Sequence, residues 1–202
     1  MESFHQRVTS CDQSVPREVY VWQALPHITH TSKNSYFGEP VPRTGRLNGN
    51  TRRWGDIALA GQAEIIDKLL TESKAQGLNE KETAFFLATA RLESGFNPDA
   101  ASQLSSASGL GQFIDATARA YGLTEKRFSL TANIKAMIRY LGEGIEFAKR
   151  VTSAKNPDLC YAYAYYHDGP TLKYGGYQIC REKLIPTYQL IKTWLASCSQ
   201  SK

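Results

Sequence analysis

The chain has 202 residues, of which 42% are hydrophobic and 21% are charged, and its formal net charge is +5. These values fit a globular protein that is long enough to bury a core, and the apolar runs are far shorter than the roughly 20 residues of a membrane-spanning helix. The pI is near 9.0, but the basic residues are scattered. The positive net charge favours an anionic partner, such as nucleic acid, anionic lipid or an anionic cell-wall polymer. The scattering of the basic residues argues against nucleic acid among these.

The N-terminal part of the chain predicts little regular structure. The first ten residues, MESFHQRVTS, contain no apolar stretch, so we expect no secretory signal peptide here. Residues 1–53 are rich in Pro, Gly and polar side chains and predict a loop-rich extension, in which EVYVWQAL (18–25) is either a short strand or an ordered arm. His27 and His30 have no further ligands at metal-binding spacing. We therefore expect neither a metal nor another cofactor.

From Trp54 onward the pattern becomes helical and predicts a helical domain over residues 54–202, which follows the extension. The fold class that follows is mostly α, because no stretch shows convincing strand-type alternation. Apolar residues at helical spacing predict helices over the approximate ranges 59–76, 79–93, 115–121, 134–148, 156–168 and 184–198.

Three local signals mark the ends of these helices. Asn79 is the expected N-cap of the second helix, with Glu82 in its first turn. Asn156 is the expected N-cap of the fifth helix, with Pro157 at its first position. Pro186 is compatible only with the start of the last helix, because proline lacks the backbone N–H that a helix interior requires.

The four cysteines, Cys11, Cys160, Cys180 and Cys198, show no C-x-x-C spacing, which argues against a zinc or thioredoxin-like site. An even number of widely spaced cysteines is compatible with two disulfides in three pairings. We favour Cys160–Cys180 and Cys11–Cys198, which would place the protein in an oxidising compartment. The alternative is four buried free thiols.

Glu93 ends the second predicted helix, directly after the apolar run FFLATARL (85–92). Negative charge is unfavourable at a helix C-terminus, because the helix dipole is negative there. At the rim of an apolar stripe, desolvation raises the pKa of a carboxyl group. A carboxylic acid that is protonated near neutral pH is suited to protonating a glycosidic oxygen. The alternative is an exposed glutamate of no special role.

The loop at 94–113 follows Glu93 and is rich in Gly, Ser and Ala. Gly109 and Gly111 would let backbone groups approach a ligand closely, and Gln112 offers both a donor and an acceptor. The alternative is a flexible surface loop without a ligand.

A third candidate element is the tyrosine-rich helix 156–168. Tyr163, Tyr166 and His167 are three and four residues apart, so they share one helical face. A tyrosine hydroxyl can orient a carboxylic acid, and an aromatic row suits the apolar faces of sugars. The alternative is that the tyrosines are ordinary core residues and His167 a helix-end histidine.

Four segments together resemble the soluble lytic transglycosylase superfamily of the lysozyme fold. In chain order they are ESGFNPDAAS (93–102), SGLGQF (108–113), NIKAMIRYL (133–141) and AYYHDGP (164–170). The resemblance implies a helical lysozyme-like domain, with the irregular N-terminal extension in front of it. The chain departs from the family pattern at three positions: His167 stands where Asn is usual, Asp168 where Ala is usual, and Gly111 where Met is usual.

The resemblance also implies a reaction, cleavage of the β-1,4 bond between N-acetylmuramic acid and N-acetylglucosamine in peptidoglycan. Glu93 would be the single acid/base of a lytic transglycosylase, which needs no metal. The residues expected to bind the glycan are Ser94, Ser108, Gln112, Phe113, Tyr163, Tyr166 and His167. A hydrolytic muramidase would usually need a second carboxylate, and the candidates for it are Asp99, Asp115 and Asp168.

The form of the AYYHDGP segment is similar to phage-type and effector-type cell-wall lysins. The protein would then act in the periplasm or cell wall and arrive there by host-cell lysis or specialised secretion. A secreted antibacterial effector would imply an inhibitor or immunity protein as a partner. An endolysin-type muramidase and an inactive glycan-binding envelope protein are the alternative functions.

Overall fold

The computed structural model describes residues 14–21, 54–55, 57–102, 104–153 and 156–200. As predicted, the described part of the chain is mostly helical and contains no strand. Its α-helices are α1 (Leu59–Ala75), α2 (Glu80–Ser94), α3 (Asp115–Ala120), α4 (Leu130–Thr152), α5 (Leu159–Asp168), α6 (Gly176–Ile179) and α7 (Ile185–Gln200). Three shorter segments are a 3-10 turn at Arg17–Val19, another at Gly169–Thr171, and a π-helical stretch at Cys180–Leu184.

Helix α2 runs through the centre of the core. The residues of its middle turns are almost completely buried on all sides of the helix, including Phe85, Phe86 and Leu87. Its start is fixed by the predicted cap: the Asn79 side chain accepts a hydrogen bond from the Glu82 N–H, and the Asn79 N–H donates to the Glu82 carboxylate, both at 3.0 Å. The cap fixes the start of α2, and the burial of its middle turns holds the rest of the helix in the core.

Helices α4 and α5 pack closely because α4 carries a glycine at their crossing. A Cβ atom at Gly144 would lie 2.6 Å from the carbonyl oxygen of Ala162, which is backbone and has no room to move away. The close contact brings the tyrosine-rich face of α5 into the same core as α2.

The disulfide Cys160–Cys180 is present, as expected, with the two Cα atoms 5.3 Å apart. It joins the first turn of α5 to the π-helical stretch before α7. No described cysteine is a free thiol, so the alternative of four free thiols is wrong. The second expected pair, Cys11–Cys198, includes a residue outside the described ranges and stays a prediction.

The start of α5 differs from the expectation. The N-cap is Asp158 rather than Asn156, and the Asp158 carboxylate accepts from the Cys160 N–H at 2.9 Å. The second carboxylate oxygen of Asp158 accepts from the Tyr177 hydroxyl at 2.7 Å. This distant contact selects the capping residue, and a local sequence pattern does not contain it.

Pro186 lies in the first turn of α7, as expected, but helical structure continues on its N-terminal side through α6 and the π-helical stretch. A proline clashes with the carbonyl four residues earlier in a regular α-helix. The wider π-helical turn directly before Pro186 relieves this clash.

The described part of the N-terminal extension, residues 14–21, packs into the helical body. Its 3-10 turn at Arg17–Val19 excludes the short strand as the structure of this part, and the remainder of EVYVWQAL lies outside the described residues. The Arg91 side chain donates to the carbonyl of Val19 at 2.7 Å, and the Gln62 amide exchanges two hydrogen bonds with the backbone of Val21. The segment is therefore an ordered arm on α1 and α2.

Among the described residues, none of the helices combines the length and the apolar character that crossing a membrane requires.

Removal of the Cys160–Cys180 bond is expected to destabilise the protein, because the bond constrains the unfolded chain across a sequence separation of 20 residues. We expect the Cys160→Ala/Cys180→Ala variant to lose roughly 3 kcal/mol of unfolding free energy in urea denaturation. An unchanged midpoint and slope would mean that the bond contributes nothing to stability.

Candidate active site

The end of α2 places Glu93 in an unusual backbone setting. Gly95 is left-handed, with φ at 60°, and terminates the helix. The Trp54 indole N–H donates to the carbonyls of Arg91 and Leu92 at 3.0 and 2.8 Å, and the Gly55 N–H donates to the Ser94 carbonyl at 2.8 Å. These donors lie at the negative end of the helix dipole, so they offset part of its effect on Glu93.

Gly95 is required at this position for two reasons. Its positive φ disfavours any side chain, and a Cβ atom there would lie 2.5 Å from the Gly55 backbone nitrogen. The sequence predicted a helix break here, but the part played by Trp54 was missed because no local pattern links it to α2.

The Glu93 carboxyl group accepts a hydrogen bond from Tyr163. The Tyr163 hydroxyl lies 2.7 Å from Glu93 Oε1, and the Tyr163 side chain is buried in the core. Burial raises the pKa of Glu93, while the Tyr163 hydrogen bond and the charge of His167 act in the opposite direction. Burial and the Glu93 charge together raise the pKa of Tyr163, which keeps its hydroxyl a donor.

Tyr166 fixes the glycine loop from the same face of α5. Its hydroxyl donates to the Gly111 carbonyl at 2.6 Å. The Tyr166 ring packs against Phe113 and Tyr140, with ring centroids 5.9 and 4.9 Å away. Tyr163 and Tyr166 are thus buried, as the core alternative expected, but their hydroxyl groups connect Glu93 and the loop to α5.

The glycine loop, defined here as residues 106–113, is not a flexible surface loop. The Arg127 guanidinium donates to the Ser106 and Phe113 carbonyls and to the Ser108 hydroxyl at 2.6 to 2.9 Å. The Asn133 amide accepts from the Gly111 N–H at 2.9 Å and donates to the Arg127 carbonyl at 2.7 Å. Sequence reasoning did not assign a role to either Arg127 or Asn133, because their partners are distant along the chain.

The packing around position 111 explains why this chain has Gly where the resembled family usually has Met. A Cβ atom at this position would lie 2.5 to 2.7 Å from the Tyr166 hydroxyl, Met137 Cγ and Phe113 Cε2. The space that a side chain would need is therefore occupied by two aromatic side chains and Met137.

Gln112 has φ at 50°, and its amide nitrogen donates to the carbonyls of Ala100 and Gly109 at 3.0 and 2.9 Å. The side chain is only partly buried, and its Oε1 atom accepts no hydrogen bond from the described residues. These two bonds hold the Gln112 side chain in place and leave its Oε1 atom as an open acceptor.

Three more of the expected glycan-binding residues are buried, in addition to Tyr163 and Tyr166. Ser94 donates to the Ala90 carbonyl at 3.0 Å, Ser108 accepts from Arg127, and Phe113 packs in the aromatic cluster. Their side chains expose at most 2% of their surface, so they shape the site from below and do not face solvent.

The three candidate second carboxylates occupy different environments. Asp99 is completely buried. Asp115 is 58% exposed and forms an ion pair with Arg127. Asp168 is 1% exposed and accepts from the backbone N–H groups of Tyr174 and Gly176 at 3.0 and 3.1 Å.

His167 is the remaining expected residue, and its side chain is 32% exposed. Its Nδ1 atom lies 2.5 Å from Asp168 Oδ1, and its ring centroid lies 5.8 Å from that of Tyr163. No group of three His, Cys, Asp or Glu side chains in the described ranges has the geometry of a metal site. His27 and His30 lie outside those ranges.

A separate groove lies beside the N-terminal half of α2, away from Glu93. Apolar side chains of α2 and α4, among them Phe85, Ile138 and Leu141, line most of it. It contains none of the candidate site residues.

We expect Gly111→Ala to lower the free energy of unfolding by about 1 to 3 kcal/mol, because the new methyl group overpacks the site. Gly142→Ala is the matched control: that position has open space, so this variant should be as stable as the parent or about 0.5 to 1 kcal/mol more stable. Equal effects of the two substitutions in urea denaturation would contradict this packing.

The raised pKa of Glu93 also has a consequence for stability. The folded state disfavours the charged form, so the stability that neutral Glu93 contributes is complete below its unfolded-state pKa and is lost as pH rises through its folded-state pKa. We therefore expect Glu93→Gln to equal the parent in unfolding free energy near pH 4 and to exceed it increasingly toward pH 7. The exposed Glu146→Gln variant should show no such trend, and a Glu93→Gln variant that is less stable at pH 7 would contradict the expectation.

Comparison with known protein families gives a match that includes the site. The model of the transglycosylase SLT domain matches residues 71–173, which include Glu93, Gln112, Tyr163 and Tyr166. Neither a search of curated proteins nor a search of solved structures found a match. The matched range covers half of the chain and every residue that the sequence predicted for the site, and the chain therefore belongs to the transglycosylase SLT domain family.

Proposed function

We propose that the protein is a peptidoglycan lytic transglycosylase in which Glu93 is the single acid/base. Membership of the family supports a peptidoglycan-cleaving glycosidic activity. The observation that supports Glu93 as the acid/base is the state of its carboxyl group. This group is partly buried, its pKa is raised, and it accepts a hydrogen bond from Tyr163. A carboxyl group with these properties keeps a proton available for a leaving oxygen.

The reaction proceeds in two steps at one carboxyl group. Glu93 donates its proton to the oxygen of the β-1,4 bond, the C1–O bond of the muramyl residue breaks, and an oxocarbenium-like sugar forms. The muramyl 6-hydroxyl then attacks C1, and its proton passes to the Glu93 carboxylate. The products are a chain with a 1,6-anhydromuramyl end and a free N-acetylglucosamine end, and Glu93 is regenerated.

Some of the surrounding residues are placed to contact the glycan, and others hold those residues in position. Gln112 Oε1 is an open acceptor for a sugar hydroxyl or amide, and His167 is partly exposed beside Tyr163. Ser94, Ser108 and Phe113 support the backbone around them, since their side chains are buried. Tyr166 fixes the loop that carries Gln112.

The hydrolytic muramidase is the less supported alternative. An inverting hydrolase needs a second carboxylate about 6.5 to 9.5 Å from the first, with room for a water molecule between them. Asp115 is paired with Arg127, Asp168 is bonded to backbone N–H groups, and Asp99 is buried. None of the three has the environment of a free general base.

A catalytically inactive glycan-binding protein would have no need for an acid held in this way. A partly buried carboxyl group at the negative end of a helix reduces stability when it is ionised, and its presence beside the Tyr163 donor favours an enzyme. We therefore rank the binding protein below both enzymatic functions.

The family places the substrate in the bacterial cell wall or periplasm. We propose an antibacterial lysin, delivered by lysis or by a specialised secretion apparatus, and an inhibitor protein as its partner if it is a secreted effector.

The products of peptidoglycan digestion test the proposal. We expect mass spectrometry to find 1,6-anhydromuramyl products with the wild type and at least a thousandfold fewer with Glu93→Gln, because the amide can donate a hydrogen bond but is far too weak an acid to transfer a proton. Glu146→Gln changes a surface glutamate on α4 in the same way and should leave the products unchanged.

Each contrary outcome has a defined meaning. Reducing muramyl ends in place of anhydro ends would show a hydrolase. The absence of products with both wild type and variant would support the binding protein.

A further inference from the structure

Asp168 is a buried carboxylate that the proposed reaction does not use. Its Oδ2 atom accepts from the N–H groups of Tyr174 and Gly176, and its Oδ1 atom contacts His167 Nδ1 at 2.5 Å. A Cβ atom at Gly176 would lie 3.0 Å from both Asp168 Oδ1 and His167 Cβ. The backbone around this carboxylate is thus shaped to hold it in one position.

This carboxylate determines the protonation of the His167 ring. An ionised carboxylate only accepts hydrogen bonds, so the Nδ1 atom of His167 carries a proton. The ring is partly exposed, which leaves it accessible to solvent.

The His167 ring lies beside the acid. Its centroid is 5.8 Å from the Tyr163 ring, and the Tyr163 hydroxyl is bonded to Glu93. A positive charge on His167 lowers the pKa of Glu93, against the larger effect of burial. A chain of contacts therefore connects the backbone at Tyr174 and Gly176 to Asp168 and His167. It continues from His167 to the Glu93–Tyr163 pair.

Other titratable groups near α5 are engaged elsewhere or exposed. Those on the elements packed against it include Glu93 on α2, Tyr140 and Glu143 on α4, Lys173 and Tyr174 after the 3-10 turn, and Tyr177, Arg181, Glu182 and Lys183 before α7. Glu143 accepts from Tyr121, Tyr140 donates to the Tyr165 carbonyl, and Tyr177 donates to Asp158. The charged groups that interact with His167 in the described structure are Asp168, by direct contact, and Glu93, through its charge.

We propose that the Asp168–His167 pair is a positioning device for Glu93: Asp168 holds the imidazole ring of His167 beside the Glu93–Tyr163 pair, and the positive charge that this ring carries stabilises the Glu93 carboxylate that forms when the glycosidic oxygen takes the proton. His167 exchanges no proton with Glu93 or with the glycan in this step, so no additional reactant is needed. The inference rests on the proposed function, since it assigns His167 and Asp168 a role in the same acid step.

The test uses His167→Gln, with Lys173→Gln as a matched control that removes an exposed positive charge from the same end of α5. Carbon-13 NMR of the Glu93 carboxyl group, assigned by its absence in Glu93→Gln, follows the titration without substrate. We expect His167→Gln to move the Glu93 midpoint to higher pH and to lower kcat about tenfold. Lys173→Gln should change neither.

A second variant tests whether Asp168 acts through His167. We expect Asp168→Asn to lower kcat in the wild type but to have little further effect in the His167→Gln background, because the two residues act as one unit. Additive effects of the two substitutions would contradict the pairing.

The two proposals fail in different ways. An unchanged Glu93 midpoint in His167→Gln overturns the inference, whatever happens to the rates. If wild-type protein cleaves no glycan, the proposed function fails instead, and the NMR titration still decides whether His167 acts on Glu93.

Discussion

The hydrogen bond from Tyr163 to Glu93 is the interaction on which the site depends, because it joins the end of α2 to α5 across the core. A carboxyl group at the negative end of a helix and partly out of water is unfavourable when ionised. The structure offsets this with the Tyr163 hydroxyl on one side and with the Trp54 and Gly55 N–H groups on the helix end. Burial has the larger effect, so the pKa of Glu93 stays raised, which is the property that an acid catalyst needs.

The second constraint is that nearly every polar group around this acid already has a protein partner. Arg127 and Asn133 bind the backbone of the glycine loop, and the Tyr166 hydroxyl fixes the Gly111 carbonyl. A loop held by so many hydrogen bonds presents its one open side-chain acceptor, on Gln112, in a defined position. Rigidity of this kind reduces the entropy that a bound glycan would otherwise have to remove.

The parts of this structure that the sequence could predict are those with local causes. The Asn79–Glu82 cap lies within one helical turn, and Glu93 follows an apolar run directly, so both are visible in a short window. The Cys160–Cys180 pair was also expected. The contacts of Trp54 and Asp158 were not predictable, because each depends on a partner that only the folded chain brings near. The same reason hid the burial of Ser94 and Ser108, which motif resemblance had placed against the glycan.

If Glu93 is the catalytic acid, its side chain lies against the scissile bond of a bound glycan. A crystal structure of Glu93→Gln with a muramyl-containing glycan fragment tests this arrangement, because the substitution prevents turnover. We expect the glycosidic oxygen within about 2.6 to 3.2 Å of the side-chain amide at position 93, with Gln112 and His167 in contact with the sugars. A fragment bound instead in the apolar groove of Phe85 and Ile138, with no density near residue 93, would contradict it.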